Sequence, residues 1–280
     1  MKETIKEEED LTIKFLYDTF LGRILLLFIT RVTFSKIITN FLDSRYSIIL
    51  IKPFIKKYNI DTSLYENKKY KSFNEYFIRN KKEEYINIDK NINDLISPCD
   101  CKLSAYNVKD NIFKVKHVSY NLELLLKDKS LAEEYKNDYV IVCRLSPDNY
   151  HRYCYIDNGY HINNNKIRGK LDTVRPEIVG KEKVYVTNSR SYTVLNTDNF
   201  GKVIQVEVGA LMVGKIKNNY KEHEFTKGEE KGYFKYGGST IILLVKKDKV
   251  KIDNYLINNT KNGYETIINI GDKIGVKKDN

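Results

Sequence analysis

Short stretches of β-type sequence, separated by Gly, Asn, Asp and Pro, fill the chain from about residue 95 onward. Runs of this length that are rich in Val, Ile and Tyr and bounded by turn residues are typical of antiparallel strands. The sequence therefore predicts an α+β fold whose main part is an antiparallel β body, sandwich-like or barrel-like. The predicted strand segments are 94–106, 111–120, 138–146, 182–188, 192–197, 201–216 and 239–252.

The residues before about 85 have apolar side chains at helical spacing instead. In residues 46–61 the helical pattern is interrupted by Pro53, and in residues 72–82 three aromatic side chains share one helix face. A further helix is predicted at 121–137, between two strands. We therefore divide the chain into an N-terminal helical region, residues 1–85, and a β-rich domain, residues 86–280.

The apolar segment Phe20–Phe34 contains Arg23 and Arg31, so its longest uncharged piece is shorter than the ~20 residues of a membrane-spanning helix. Helices with apolar faces and cationic edges either pack on a protein body or lie in the interface of a bilayer. The sequence leaves both alternatives open. The charged start of the chain, "MKETIKEEED", does not have the pattern of a signal peptide, which indicates a reducing cytosolic setting.

The net charge of +11 suggests an anionic partner, either nucleic acid or a membrane surface. Because no Arg-rich run or aromatic RNA-binding signature accompanies the lysines, we expect no nucleic-acid partner. The four cysteines are Cys99, Cys101, Cys143 and Cys154. Structural zinc sites usually use C-x2-4-C pairs, whereas this chain has a single C-x-C, so we expect reduced thiols and no metal.

Three residues from separate segments supply the groups of a Ser-His-Asp constellation: Asp100, His151 and Ser239. Asp100 follows a proline turn, His151 follows a strand-like run, and Ser239 opens an apolar run after Gly237-Gly238. Taken singly, each residue is also typical of an ordinary turn, surface or strand-start position. Sequence spacing alone does not show that the three converge.

Five segments in order resemble the phosphatidylserine decarboxylase proenzyme family, and together they span most of residues 70 to 250. The Gly-Ser-Thr that follows Gly-x-Phe is the most specific part of the match. The resemblance implies a carboxy-lyase of phospholipid biosynthesis that converts phosphatidylserine to phosphatidylethanolamine. The segments are "FNEYFIRN", "ISPCDCKL", "LSPDNYHRYCYIDNG", "NSRSYTVLNTDNFGKVIQVEVGALMVGKI" and "KGEEKGYFKYGGSTIILL".

The same resemblance implies self-cleavage between Gly238 and Ser239, into a β chain of residues 1–238 and an α chain of residues 239–280. In this family the serine hydroxyl attacks the preceding carbonyl, and elimination and hydrolysis then leave a pyruvoyl group derived from Ser239. That group is the implied cofactor, with no metal. His151 would be the base and Asp100 the residue that orients it. Glycine suits position 238 because it has no Cβ to obstruct the attack.

Two positions depart from the family pattern. Cys154 stands where the family has the second histidine of its His-Arg-x-His tandem, and a neutral thiol is a poor base near pH 7. His151 would then serve alone, or His161 or His117 would take the missing role. Cys101 stands where the family usually has Gly after the aspartate, which would alter the turn.

By resemblance and charge, we expect phosphatidylserine and an anionic membrane surface as partners. The expected location is peripheral, on the cytoplasmic face of a bacterial cell membrane, and the family suggests a homodimer. Two alternatives from other classes stay open. An interaction module with a β scaffold would leave the chain uncut, and a pyruvoyl enzyme of the same kind could act on a soluble amino acid or another serine-containing headgroup.

Overall fold

The computed structural model describes residues 2–5, 11–30, 32–210, 215–235, 237 and 239–278. Helices occupy most of the first 77 residues, and antiparallel sheets form the rest of the body, so the predicted α+β class is confirmed. Within these described ranges the sheets are open and form no closed barrel. Gly238, one half of the predicted cleavage site, lies outside the described residues.

Ten α-helices are described, together with 3₁₀ turns at Arg45–Leu50, Thr62–Leu64 and Glu83–Tyr85. None of the helices in the described part of the chain combines the length and apolarity needed to cross a membrane. They are α1 (Leu11–Asp18), α2 (Phe20–Ile29), α3 (Val32–Asp43), α4 (Ile51–Tyr58), α5 (Phe73–Phe77), α6 (Leu122–Leu126), α7 (Lys129–Glu134), α8 (Pro176–Val179), α9 (Val184–Thr187) and α10 (Asn254–Lys261).

The described strands are all short, with at most eight residues each. They are β1 (Thr4–Ile5), β2 (Asp94–Ile96), β3 (Cys101–Asn107), β4 (Ile112–Val115), β5 (Val118–Asn121), β6 (Tyr139–Leu145), β7 (Arg152–Cys154), β8 (Gly159–His161), β9 (Asn164–Ile167), β10 (Arg190–Thr197), β11 (Gly201–Val208), β12 (Lys215–Asn218), β13 (His223–Phe225), β14 (Glu230–Lys235), β15 (Ser239–Val245), β16 (Val250–Ile252), β17 (Glu265–Ile268) and β18 (Lys273–Lys277).

The main sheet has the order β1-β17-β3-β6-β15-β11-β10-β8-β13, with β9 also paired to β10. β15 lies near its middle, hydrogen-bonded to β6 on one side and β11 on the other, and all its residues are buried. A fully buried strand reads as a continuous apolar run, which is the pattern of Ile241–Val245. The strand predicted to begin at Ser239 is therefore confirmed as far as Val245.

A smaller sheet, β12-β14-β7, contacts the main sheet. β14 and β7 are paired with a register shift between Glu230 and Gly232, so Lys231 is the extra residue of a β-bulge. Its ammonium reaches Glu207 of β11 at 2.8 Å. The two remaining small sheets are β16-β18-β2 and the hairpin β4-β5.

Three local predictions need correction. Segment 182–188 forms helix α9 rather than a strand, because Tyr185 packs on Tyr120 with ring centroids 4.9 Å apart and tertiary contact outweighs β propensity. The helix predicted at 121–137 is split into α6 and α7, since Lys127 adopts a positive φ of 55°. Pro53 does not interrupt α4, because it lies in the first turn, where its missing N–H has no helical acceptor.

Candidate active site

Ser239 begins β15, and its side chain is fully buried. Its backbone pairs with Leu145 of β6, which fixes the residue at the edge of the core. The hydroxyl Oγ has no hydrogen-bond partner among the described residues. Two residues earlier, Gly237 has a φ of 61°, a left-handed conformation that favours glycine. The hydroxyl of Ser239 therefore lies in a site closed to solvent and forms no hydrogen bond with the described residues.

His151 precedes β7, and its side chain is also fully buried. Its imidazole packs on the ring of Phe77 in α5, with centroids 4.2 Å apart. The backbone carbonyl of His151 accepts a hydrogen bond from the N–H of Phe234 at 3.0 Å. This bond attaches His151 to β14, the strand that leads into the Gly237 turn, and so places the imidazole beside the segment that carries Ser239.

The hydrogen bonds of His151 determine its tautomer. Nδ1 lies 2.8 Å from the carbonyl oxygen of Asn149, and a carbonyl only accepts, so Nδ1 carries the proton. Nε2 is then the nitrogen with a lone pair, and it has no partner among the described residues. The imidazole presents an unused proton acceptor, while the hydroxyl of Ser239 is an unused donor.

Burial lowers the pKa of His151 from 6.5 to about 3. The positive charge of Arg79 lowers this pKa further, while the backbone groups of Asn149 and Gly237 oppose the shift. The imidazole is therefore neutral at pH 7, which is the state that a general base requires. The effect of Gly237 is a second indication that the imidazole lies next to the turn before Ser239.

Asp100 lies in the turn before β3 and is buried. Its Oδ2 accepts a hydrogen bond from Lys81 Nζ at 2.5 Å, and its Oδ1 accepts one from the backbone N–H of Ile270 at 2.9 Å. The described contacts thus join the carboxylate to Lys81 and Ile270 and not to His151. Sequence reasoning missed Lys81, because nothing in its spacing separates it from the many other lysines of the chain.

Cys154, which the resemblance places at the family's second histidine, lies against the segment that carries Asp100, with its Sγ 3.9 Å from the carbonyl oxygen of Ser97. The backbone N–H of Cys154 donates to the carbonyl of Pro98 at 2.8 Å, which holds β7 against the Asp100 turn. Burial raises the pKa of the thiol to about 12, and the negative charge of Asp100 contributes to the increase. The side chain at position 154 is therefore a neutral thiol, which cannot act as a base at pH 7.

The other two candidate histidines do not join this site in the described structure. His161 is buried in β8, three strands from β15 in sheet order, or about 14 Å at the usual strand spacing. Its Nδ1 lies 3.4 Å from the hydroxyl of Tyr155. His117 is exposed in the turn between β4 and β5. His151 is the histidine that the fold brings next to the turn.

Three thiols meet in the core, which their spacing along the chain did not predict. The sulfur atoms of Cys99, Cys101 and Cys143 all lie within 4.8 Å of one another, and all three residues are buried. The cause is the register of β3 and β6, which pairs Leu103 with Cys143 and puts Cys101 diagonally across from it. Burial raises the pKa of Cys99 and Cys101 well above the ordinary value, which favours protonated thiols, whereas hydrogen bonds from these two thiols lower the pKa of Cys143 to about 5.

Comparison with known proteins adds to this geometry. Residues 73–276 match the family model described as phosphatidylserine decarboxylase. The matched range contains Asp100, His151 and Ser239 together with every strand that surrounds them.

Curated relatives match over nearly the full chain. "Phosphatidylserine decarboxylase proenzyme 2" of Clostridium acetobutylicum is 47% identical over 276 residues, which are 98% of this chain and 94% of the relative. Proteins named "Phosphatidylserine decarboxylase proenzyme" in Clostridium botulinum and Clostridium perfringens are 44% and 42% identical, covering 94% and 90% of this chain and 91% and 87% of their own lengths. The chain therefore belongs to the phosphatidylserine decarboxylase family of enzymes.

Proposed function

We propose that this chain is a phosphatidylserine decarboxylase that matures by cutting itself between Gly238 and Ser239. The observation that carries the proposal is the hydroxyl of Ser239, which is buried and unpartnered at the start of β15 directly after a glycine turn. The word "proenzyme" in the names of the relatives supports a maturation step.

In the proposed cleavage, Oγ of Ser239 forms a bond to the carbonyl carbon of Gly238, and the peptide C–N bond breaks. The hydroxyl proton passes to the amine that is released, with Nε2 of His151 as the carrier. Loss of the α-proton of Ser239 then expels the carboxylate of Gly238 and leaves dehydroalanine. Hydrolysis of that residue releases ammonia and yields a pyruvoyl group at position 239.

Position 239 fits such a group, because the site is closed to solvent and bordered by the apolar residues Leu145 and Ile241. When present, a pyruvoyl group supplies a carbonyl that withdraws electrons as carbon dioxide leaves. The protein's part is to exclude water, to orient the headgroup and to move a proton. Phe77 and the neutral imidazole of His151 line the site. The phenyl ring would help to exclude water, and the imidazole would move the proton.

We assign the orientation of His151 to the carbonyl of Asn149, which is bonded to Nδ1. Asp100 stays in the proposal as a catalytic residue, held in place by Lys81 and Ile270. In the described geometry its charge acts next to Cys154, so Asp100 would influence the reaction through the electrostatics of the site rather than by a direct bond to His151.

We further propose that the N-terminal helices bind the bilayer interface. Phe20, Tyr46 and Ile49 are 79%, 84% and 75% exposed, and the cationic side chains of Arg23 and Lys52 are exposed near them in sequence. Such a surface binds membranes through apolar contact and through attraction to anionic lipids such as phosphatidylserine. The enzyme would be a peripheral protein on the cytoplasmic face of the bacterial membrane. A homodimer stays a prediction from the resemblance.

After cleavage the two chains would remain together, because β15 belongs to the α chain while its neighbours β6 and β11 belong to the β chain. Both sides of β15 keep their strand pairing without the peptide bond at Gly238. The product would be one folded enzyme made of two chains of the same precursor.

The intact mass of purified protein tests the cleavage. We expect the wild type to appear as fragments 1–238 and 239–280, the smaller one blocked at its N-terminus, and Ser239→Ala to stay whole. Ser191→Ala is the matched control, since Ser191 also has a buried, unpartnered hydroxyl but lies in β10. A wild-type chain that stays whole when folded would refute the maturation and favour an interaction module.

Conversion of phosphatidylserine to phosphatidylethanolamine tests the activity and the membrane region together. A variant that lacks about the first 60 residues should lose far more activity on vesicles than on dispersed short-chain phosphatidylserine. Equal loss on both substrates would argue against an interfacial role. Turnover of free serine instead of the lipid would assign the chain to the soluble amino-acid alternative.

A further inference from the structure

Arg79 belongs to the "FNEYFIRN" segment, and no step of the proposed mechanism uses it. Its side chain is only 1% exposed. The guanidinium carbon lies 4.1 Å from the ring centroid of Tyr65 and 4.8 Å from that of Tyr76. The two rings lie against the guanidinium, but they offer its in-plane N–H groups no hydrogen-bond acceptor.

Those N–H groups are poorly satisfied. Nη1 makes two long contacts of 3.5 Å, to the carbonyls of Tyr76 and Phe77. Nε and Nη2 have no partner in the described part of the chain, and no carboxylate there forms an ion pair with Arg79. Burying a charge without a counter-charge costs free energy. This arrangement therefore indicates a binding site for an anion.

Other buried arginines of this fold are satisfied within the protein. Arg190 donates to the carbonyls of Leu124, Leu125 and Asn188 at 2.6 to 2.8 Å. Arg144 donates through Nε and Nη2 to the two carboxylate oxygens of Glu265. In Arg79 the same two nitrogens, Nε and Nη2, have no acceptor among the described residues. The contrast indicates a ligand rather than a general tolerance of unsatisfied arginine.

Arg79 also lies between the candidate catalytic site and the N-terminal helices. Phe77, two residues earlier, packs on the ring of His151 at 4.2 Å, and the charge of Arg79 lowers the pKa of that imidazole. On the other side, Phe73 of the same helix packs on Phe54 of α4 at 5.1 Å. A headgroup that enters from the exposed apolar surface of the helices would meet Arg79 next to His151.

We propose that Nε and Nη2 of Arg79 bind the phosphodiester of the serine phospholipid. The inference rests on the function proposed above. This edge of a guanidinium matches two oxygens of a phosphate in a bidentate, charge-assisted geometry. The reacting carboxylate is a poorer partner, since an interaction that stabilises its charge is lost as carbon dioxide leaves and so raises the barrier. The phosphodiester keeps its charge throughout the reaction.

Three soluble probes separate these anions. Glycerophosphoserine carries both the phosphodiester and the carboxylate, glycerophosphoethanolamine carries only the phosphodiester, and free serine carries only the carboxylate. Each is titrated by calorimetry into the purified wild type, Arg79→Met, Arg79→Lys and the control Arg168→Met. Arg168 is exposed and has the same charge, so its replacement reports the general effect of losing one cation.

We expect Arg79→Met to weaken both glycerophospho probes by about tenfold or more and to leave free serine unchanged. Arg79→Lys keeps the charge but loses the fork, so an intermediate loss is expected, and Arg168→Met should match the wild type. Unchanged binding of glycerophosphoethanolamine would overturn the proposal. A loss limited to the two carboxylate-bearing probes would overturn it in favour of a carboxylate site.

If Arg79→Met does not fold, the Arg79→Lys titrations decide alone, and equal affinity to the wild type for glycerophosphoethanolamine refutes the assignment. Calorimetry does not require turnover, so a failure of the proposed function is recognised separately, by the absence of cleavage and of phosphatidylethanolamine in the wild type.

Discussion

The ion pair between Lys231 and Glu207 offers a quantitative test of the core next to β15. Lys231 Nζ lies 2.8 Å from Glu207 Oε1 and 2.8 Å from Asn218 Oδ1, and both charged side chains are fully buried. Glu207 is paired with Ile241, two residues from Ser239. The change is Lys231→Met, made in the Ser239→Ala chain so that every sample stays uncut.

Removal of the ammonium leaves a carboxylate buried without a cation, and breaking a pair of this kind costs about 3–5 kcal/mol of unfolding free energy. With about 2–4 °C per kcal/mol for a chain of nearly this size, the melting temperature should fall by roughly 10 °C. Adding Glu207→Gln removes the unpaired charge, so the double variant should recover most of the loss.

Urea unfolding followed by circular dichroism measures these free energies. Lys136→Met is the control, since Lys136 and Glu133 form an exposed ion pair whose loss should leave the midpoint unchanged. The reasoning is refuted if Lys231→Met stays within about 1 kcal/mol of the parent, or if the double variant is no more stable than the single one.

Three further outcomes are expected. Cys154→His restores the imidazole that the resemblance implies at this position and should speed self-cleavage, measured as the loss of uncut chain after synthesis. Stability should fall as the pH drops from 6.5 toward 3, because the unfolded chain protonates His151 while the folded chain, with its pKa of about 3, does not; acid unfolding of Ser239→Ala with and without His151→Gln measures this. The buried Cys99, Cys101 and Cys143 should react slowly with a thiol reagent until the protein is unfolded, and mass spectrometry of the metal content should find no stoichiometric zinc.

The matching controls and contrary results are specific. Cys154→Ser should bring no gain in cleavage, and a similar gain would show that the loss of the thiol rather than the imidazole matters. If His151→Gln leaves the acid dependence unchanged, the imidazole is not the group that titrates. Stoichiometric zinc would show that the thiol cluster is a metal site, in contradiction to the expectation from cysteine spacing.

Local pattern was enough to predict the class of fold and about half of the described strands. The helical spacing before residue 85 follows from a side-chain period of 3.6, the half-buried strands after 95 from a period of 2, and the buried strand that begins at Ser239 from a continuous apolar run. The pattern failed at Val184–Thr187, where β-branched residues form helix α9 because Tyr185 packs on Tyr120. The β propensity of a segment depends on a few neighbouring residues, whereas the contact between Tyr185 and Tyr120 joins residues more than sixty positions apart.

The sequence by itself determined the family, the order of the strands along the chain and the three candidate residues Asp100, His151 and Ser239. Only the tertiary structure decided that Lys81 meets Asp100 and that the buried Arg79 lies unpaired nearby, whereas the contact of Asn149 with His151 is local, two residues apart. The sheet order in turn puts β3, β6 and β15 side by side, although more than 130 residues separate the first from the last. Sheet order is set by how the whole core packs, and no local pattern of residues encodes it.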